Sequence, residues 1–221
     1  MTSSYKRVKL ACYTSNVTMS IVGNLSPILF LTFTTLYGIS YTALGFLVLI
    51  NFVTQLTVDL IFSFFSHKFN IPMAVKSAPA LSFIGLLIYA LFPFFFPENV
   101  YLCIVIGTVI FSASSGFNEV LISPVIAAIP SDDPDREMSK LHSIYAWGVV
   151  FVIAVSTFFL LIFGNENWQW LALIFALVPL LAMLLFAGVR FVLAGMLTVI
   201  FGSIIAGKTL IPQKSSWGMI C

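Results

Sequence analysis

Asp59 and Glu119 are carboxylates set inside long apolar stretches, NFVTQLTVD over residues 51–59 and SASSGFNEV over residues 112–120. A carboxylate at membrane depth costs about 2.5 kcal/mol or more, so it is kept there for a task such as ligand binding or proton relay. Around the two acids stand amides at Asn24, Asn51, Gln55 and Asn118, and Tyr145 and Trp147 offer aromatic faces. Amides that both donate and accept, beside an aromatic face for a ring's C–H surface, suit a hydroxyl-bearing solute. For Trp147, packing or an interface position is the more usual role for such a residue, and that reading stays open. Protonating Glu119 would remove a charge whose desolvation opposes closing a cavity around it. His142 adds a side-chain type that changes charge near neutral pH; a hydrogen bond to the loop at 132–137 is the alternative for it.

Composition decides what must hold these side chains. Sixty per cent of the 221 residues are hydrophobic and only 8% are charged, and the mean hydropathy is +1.09. A water-soluble core cannot absorb that much apolar surface, so most of the chain faces lipid. No charged residue or histidine occurs between Leu10 and Val58, which leaves room for two spans of about 20 residues with a turn between them. Gly38 beside Ser40 marks that turn. Further spans are predicted at 74–96, 100–129, 141–163 and 168–188, and the run at 191–207 is at the margin of what can cross. The expected fold class is an all-α membrane protein, a six-helix bundle of two three-helix repeats with a doubtful seventh span. Its divisions are a cytoplasmic N-terminus over 1–9, the bundle over 10–188, a truncated helix over 189–207 and a tail over 208–221.

Lys and Arg accumulate in cytoplasmic loops. With the N-terminus inside, Lys6, Arg7, Lys9, Lys68, Lys76, Arg136, Lys140 and Arg190 all fall on the cytoplasmic side. The opposite loops hold Glu98 and Glu166 and no basic residue. Asn16, Ser20 and Asn24 interrupt the first apolar run, which argues for a retained span rather than a cleaved signal. The net charge of +2 follows from this topology and gives no case for nucleic acid. Cys12, Cys103 and Cys221 lack metal or redox spacing. The reading therefore calls for no cofactor and no metal.

Polar residues recur at helical spacing on four of the six spans. The first carries Asn16, Ser20, Gly23, Asn24 and Pro27. Asn51, Gln55 and Asp59 follow on the second, Ser112, Ser115, Gly116, Glu119 and Ser123 on the fourth, and His142, Ser143 and Tyr145 open the fifth. Offsets of 3, 4, 7 and 8 place each set on one face. The third and sixth spans are nearly all apolar. Spans one, two, four and five are thus expected to surround a shared polar interior, with three and six standing outside. Bundles built from repeats around a central site are how many secondary transporters are made. Small and polar residues on membrane helices also serve packing, and that reading stays open for the individual Ser and Gly positions.

Four stretches, VGNLSPILFLTF (22–33), NFVTQLTVD (51–59), NEVLISPVIAAIP (118–130) and LHSIYAWG (141–148), together resemble the major facilitator superfamily. The nearest branch is the fucose-permease-like group of proton-coupled sugar symporters. The resemblance covers roughly residues 11–188, the first half of a twelve-helix transporter. It implies a proton-coupling role for Glu119, and the acid that the branch also carries in its first helix is replaced here by Asn24. It implies a gating role for Asp59 together with Lys68. In the loop at 65–72, His67 stands where an acid is expected and Asn70 where Gly is expected. The antiporter Gly-Pro motif is missing from residues 147–163, which disfavours drug efflux. The implied protein sits in the plasma membrane, with the lipid bilayer, a small polar solute and protons as its partners.

Only residues 188–190 separate the sixth span from the next apolar run, and five further helices are not encoded. The expectation is a truncated product lacking its C-terminal half, or a half-transporter that forms a homodimer. Besides transport, two classes stay open: a non-transporting fragment or subunit, and a membrane-embedded enzyme. The second lacks support, since neither His-Glu-x-x-His nor a nucleophile motif is present. The acidic run SDDPDRE at 131–137 reads as a helix cap rather than a metal site, because acids favour helix N-termini.

Overall fold

Backbone polar groups in lipid must be satisfied within the segment, which leaves apolar runs of this length one solution, the helix. The computed structural model describes residues 3–65, 68–69 and 71–187. His67, Asn70, the doubtful span at 191–207 and the tail with Cys221 lie outside the described residues. Seven α-helices are present among them: α1 (Ser3–Ile28), α2 (Phe30–Tyr37), α3 (Tyr41–Phe65), α4 (Ile71–Phe95), α5 (Val100–Ala128), α6 (Pro134–Phe163) and α7 (Trp168–Ala187). Five are long and apolar enough to cross a membrane by themselves, and α1 with α2 makes a sixth span bent by 43°. The bend follows Pro27, whose ring cannot donate a backbone hydrogen bond and crowds the carbonyl one turn back.

The turns fall where the sequence places them. Gly38 ends α2 at φ +63° and Gly164 ends α6 at φ +84°, a region where only glycine is unstrained. Single 3-10 turns lie at Pro97–Asn99, between α4 and α5, and at Asn165–Asn167, directly after Gly164. The fifth span begins earlier than its apolar run: Asp133 accepts the Arg136 amide at 3.0 Å and Pro134 takes the first helical position. The acidic run is therefore a cap, as its composition suggests.

Packing follows a pseudo-two-fold pattern. α1 packs on α6 and α7, while α5 packs on α3 and α4, so the lead helix of each triplet rests on the later helices of the other. α4 and α7 also pack on each other, which closes the back of the bundle. Tight approach of α4 to α5 depends on glycine. A Cβ at Gly107 would lie 2.8 Å from the Tyr89 Cα, and one at Gly85 would lie 2.7 Å from the Phe111 nitrogen. Ser82 and Ser114 share a hydrogen bond of 2.7 Å in the same seam. Small residues here let backbones meet.

As expected, spans three and six, α4 and α7, stand outside the polar interior, which is lined from α1, α3, α5 and α6. Neither lines the polar face, but 44% of the apolar stretch of α4 and 39% of that of α7 are buried, against 17% for α3 and for α6. Their apolar sequences belong to a packed back layer with α5, which is 56% buried, and only two of the four striped spans, α3 and α6, are exposed flanks. The small-residue seam draws α4 in against α5.

Two apolar clusters fill the bundle. At one end Phe33, Tyr89, Phe111 and Trp168 are fully enclosed, with Phe33 and Trp168 edge-to-face at 5.0 Å between ring centres. Val8, Phe62, Val75, Ile126, Leu141 and Phe186 form the other cluster. It joins the start of α1, the end of α3 and the starts of α4 and α6, so the helix ends carrying Lys6, Lys9, Lys76 and Lys140 gather together. There Glu137 accepts from Tyr13 at 2.8 Å and pairs with Lys9 and Lys140, each at 3.0 Å.

Candidate functional site

Between these clusters, on the face opposite α4 and α7, lies a cavity of about 480 Å³. Four helices build it, and each contributes the stripe read from its sequence. Asn16, Gly23 and Asn24 come from α1, and Asn51 and Gln55 from α3. α5 brings Ser115, Asn118, Glu119 and Ser123, and α6 brings His142 and Tyr145. Such side chains on lipid-facing surfaces would lose hydrogen bonds to water without replacement, which is why the stripes converge.

The walls are held by hydrogen bonds between helices. The Asn16 amide donates to the Leu141 carbonyl at 2.6 Å, and the Ser20 hydroxyl donates to the Tyr145 carbonyl at 2.9 Å. That contact tolerates no side chain at position 148, where a Cβ would meet Ser20 Oγ at 2.6 Å. On the other side, Ser112 donates to Asn51 Oδ1 at 2.7 Å, fixing a buried amide. The Gln55 amide donates to the Glu119 carboxylate across the α3–α5 seam. Asn118 is buried, and its Nδ2 has no partner among the described residues.

Of the sequence-predicted residues, Asn24, Asn51, Gln55, Asn118, Glu119, Tyr145 and His142 are brought together in this cavity. Trp147 is not. It is 73% exposed and lines a separate, apolar groove with Val17, Ile144 and Phe151. A two-residue offset from Tyr145 turns a helical side chain by about 200°, so the two cannot serve one site. Asp59 sits one turn beyond Gln55, beside Gly116, where a Cβ would be 3.0 Å from its Oδ1. That oxygen is buried without a partner, and Asp59 is not among the cavity-lining residues. Lys68 stands over the Phe65 ring at 5.3 Å and forms no ion pair among the described residues, so it does not reach Asp59. His142 makes no bond to the 132–137 loop; Glu137 there is taken by Tyr13, Lys9 and Lys140.

Met19 and Leu141 line the cavity without having been singled out in the sequence. They are apolar, and no periodicity distinguishes a cavity wall from core. No Lys or Arg lines the cavity, and no group of three or more metal-ligating side chains occurs among the described residues.

The chain is similar to the inward-open structure of the xylose transporter XylE from E. coli, with a TM-score of 0.71 and 17% identity over 92% of this chain. This chain shares the fold of about half of that protein. It spans about half the length of that protein, 54%. No family model and no curated protein sequence matches it. Counted along the chain, α1 with α2 is the first span and α7 the sixth. The cavity then lies on the spans expected to carry polar stripes, in a multi-pass membrane protein.

Proposed function

We propose that this chain forms the N-terminal solute-binding half of a proton-coupled transporter for a small polar solute, a sugar being the favoured class. The observation that carries the reading is the cavity lined by amides and one carboxylate inside an otherwise apolar bundle. Its volume of about 480 Å³ lies in the range that holds small molecules, and a few convergent polar groups supply orientation. The likeness to a xylose transporter supports a sugar, and the resemblance to the fucose-permease branch supports Glu119 as the proton-bearing group. Asp59, set deeper in the α3–α5 seam, is assigned to the conformational cycle. The clustering of basic helix ends supports a cytoplasmic N-terminus in the plasma membrane.

Alternating access requires one bundle to rock against another around a central site. The spans flanking the cavity, α3 and α6, are the least packed, which supports a second bundle, either a C-terminal half or a second copy, covering this face. The test is binding of tritiated D-xylose and L-fucose to the purified chain, followed by proteoliposome uptake under an imposed proton gradient. Saturable binding without concentrative uptake is expected. Absence of saturable binding across pentoses and hexoses removes the sugar assignment, and concentrative uptake by the chain alone removes the half-transporter assignment.

A further inference from the structure

The hydrogen bonds that build the cavity also fix which end of each amide faces it. Asn16 spends its amide nitrogen on the Leu141 carbonyl, Asn24 spends its own on the Ser20 carbonyl at 2.8 Å, and Gln55 spends its own on Glu119. A primary amide has two donors on nitrogen and a carbonyl oxygen with two lone pairs. Anchoring the nitrogen therefore leaves the oxygen as the group available to a ligand. None of the three oxygens has a partner among the described residues, and all three residues line the cavity. Asn51 is the one reversed case, because its oxygen is taken by Ser112 and its nitrogen is left over. Asn118 keeps its nitrogen enclosed in the wall. To these acceptors the Glu119 carboxylate adds a negative charge, with no Lys or Arg in the lining to offset it.

The Ser115, Ser123 and Tyr145 hydroxyls and His142 also line the cavity, but these are uncharged or shared donors that neutral solutes use equally. An anion would in addition set its charge against three carbonyl dipoles and a carboxylate, and like-charge juxtaposition is strongly unfavourable where water is displaced. Hydroxyl and ammonium groups meet the reverse situation, since each buried carbonyl oxygen left unpaired by a bound solute carries a desolvation cost. Resting on the reading of this cavity as the solute site, we propose that it selects donor-rich, non-anionic solutes, with Asn16, Asn24 and Gln55 as the specificity-determining acceptors. Neutral polyols and amino sugars fit; sugar acids do not.

Three pyranoses of one skeleton separate these classes: D-glucose, D-glucosamine with its amine protonated, and D-glucuronate. Each is titrated against the purified full chain in competition with a tritiated neutral monosaccharide. Glucosamine is expected to bind at least as tightly as glucose, and glucuronate about ten-fold or more weaker. Glucuronate binding as tightly as glucose, or tighter, overturns the selectivity while leaving the cavity a solute site. Failure of all three, and of every neutral monosaccharide, overturns the solute-site reading itself.

Asn24→Leu tests the acceptor assignment. Its amide bonds only within its own helix, so the substitution removes the cavity oxygen without cutting a contact between helices. It is expected to weaken glucose and glucosamine and to narrow their advantage over glucuronate. Unchanged ratios in a monodisperse, helical Asn24→Leu protein overturn the assignment. Should that variant fail to fold, Asn24→Asp retains an acceptor and adds charge, and must widen the glucosamine-to-glucuronate ratio for the proposal to stand.

Discussion

The Gln55 amide nitrogen donates to the Glu119 carboxylate across the crossing of α3 and α5, so the acid on the cavity wall is held by the neighbouring span. Gly116 permits the crossing: a Cβ there would lie 2.8 Å from the Gln55 carbonyl oxygen. Any change in the charge of Glu119 is thereby transmitted to the seam that also contains Asp59.

Glu119→Gln keeps an oxygen able to accept from Gln55 and removes the proton-binding group. In a transporter assembly containing this chain, solute counterflow should persist while accumulation driven by a proton gradient is abolished. Asp59→Asn should lower counterflow and net uptake together. The comparison of the two assays in the two variants decides the matter. Accumulation that survives Glu119→Gln would move the proton role to His142, the imidazole lining the cavity.

Gly107 lies against the Tyr89 backbone with no room for a methyl group. Gly107→Ala should destabilise the bundle by about 1–3 kcal/mol, the usual cost of overpacking. Gly23 also lines a helix interior but has nothing within 4 Å of a built Cβ. Gly23→Ala should be neutral or stabilising by up to about 1 kcal/mol through helix propensity. Detergent-unfolding midpoints monitored by circular dichroism separate the two.

The Tyr37 hydroxyl accepts from Trp168 Nε1 at 3.1 Å and from Gln169 Nε2 at 3.2 Å, tying α2 to the start of α7. Tyr37→Phe leaves a fully buried indole N–H without an acceptor. The expected loss is about 1–3 kcal/mol, read as a lowered thermal midpoint with a shifted Trp emission.

Glu137 joins Lys9, Lys140 and Tyr13 at the basic end of the bundle. Lys9 has only 11% of its side chain exposed, while Lys140 has 45%. Glu137→Ala strands a nearly buried cation and should cost about 3–5 kcal/mol. Lys140→Ala removes only an exposed partner, worth about 1 kcal/mol or less. Thermal midpoints of the two variants should fall in that order.

Much of the fold is legible along the chain, because lipid permits so few solutions. An apolar run about 20 residues long must be a helix, Gly38 and the turns at 97–99 and 164–167 must reverse it, and a carboxylate such as Glu119 must turn inward. The stripes on α1, α3, α5 and α6 were readable for the same reason: helical periodicity and the cost of an unsatisfied amide act on each span alone. Tertiary structure decided what depends on two spans at once. It set Trp147 apart from Tyr145 on a different face, and left Lys68 on Phe65 rather than near Asp59. It drew the apolar α4 into the packed back layer through glycine contacts at 85 and 107, which no hydropathy profile registers. It also oriented the amides of Asn16, Asn51 and Gln55, whose partners Leu141, Ser112 and Glu119 lie 125, 61 and 64 residues away. Sequence supplies an amide with both a donor and an acceptor, and only the neighbouring helix determines which of them remains for a ligand.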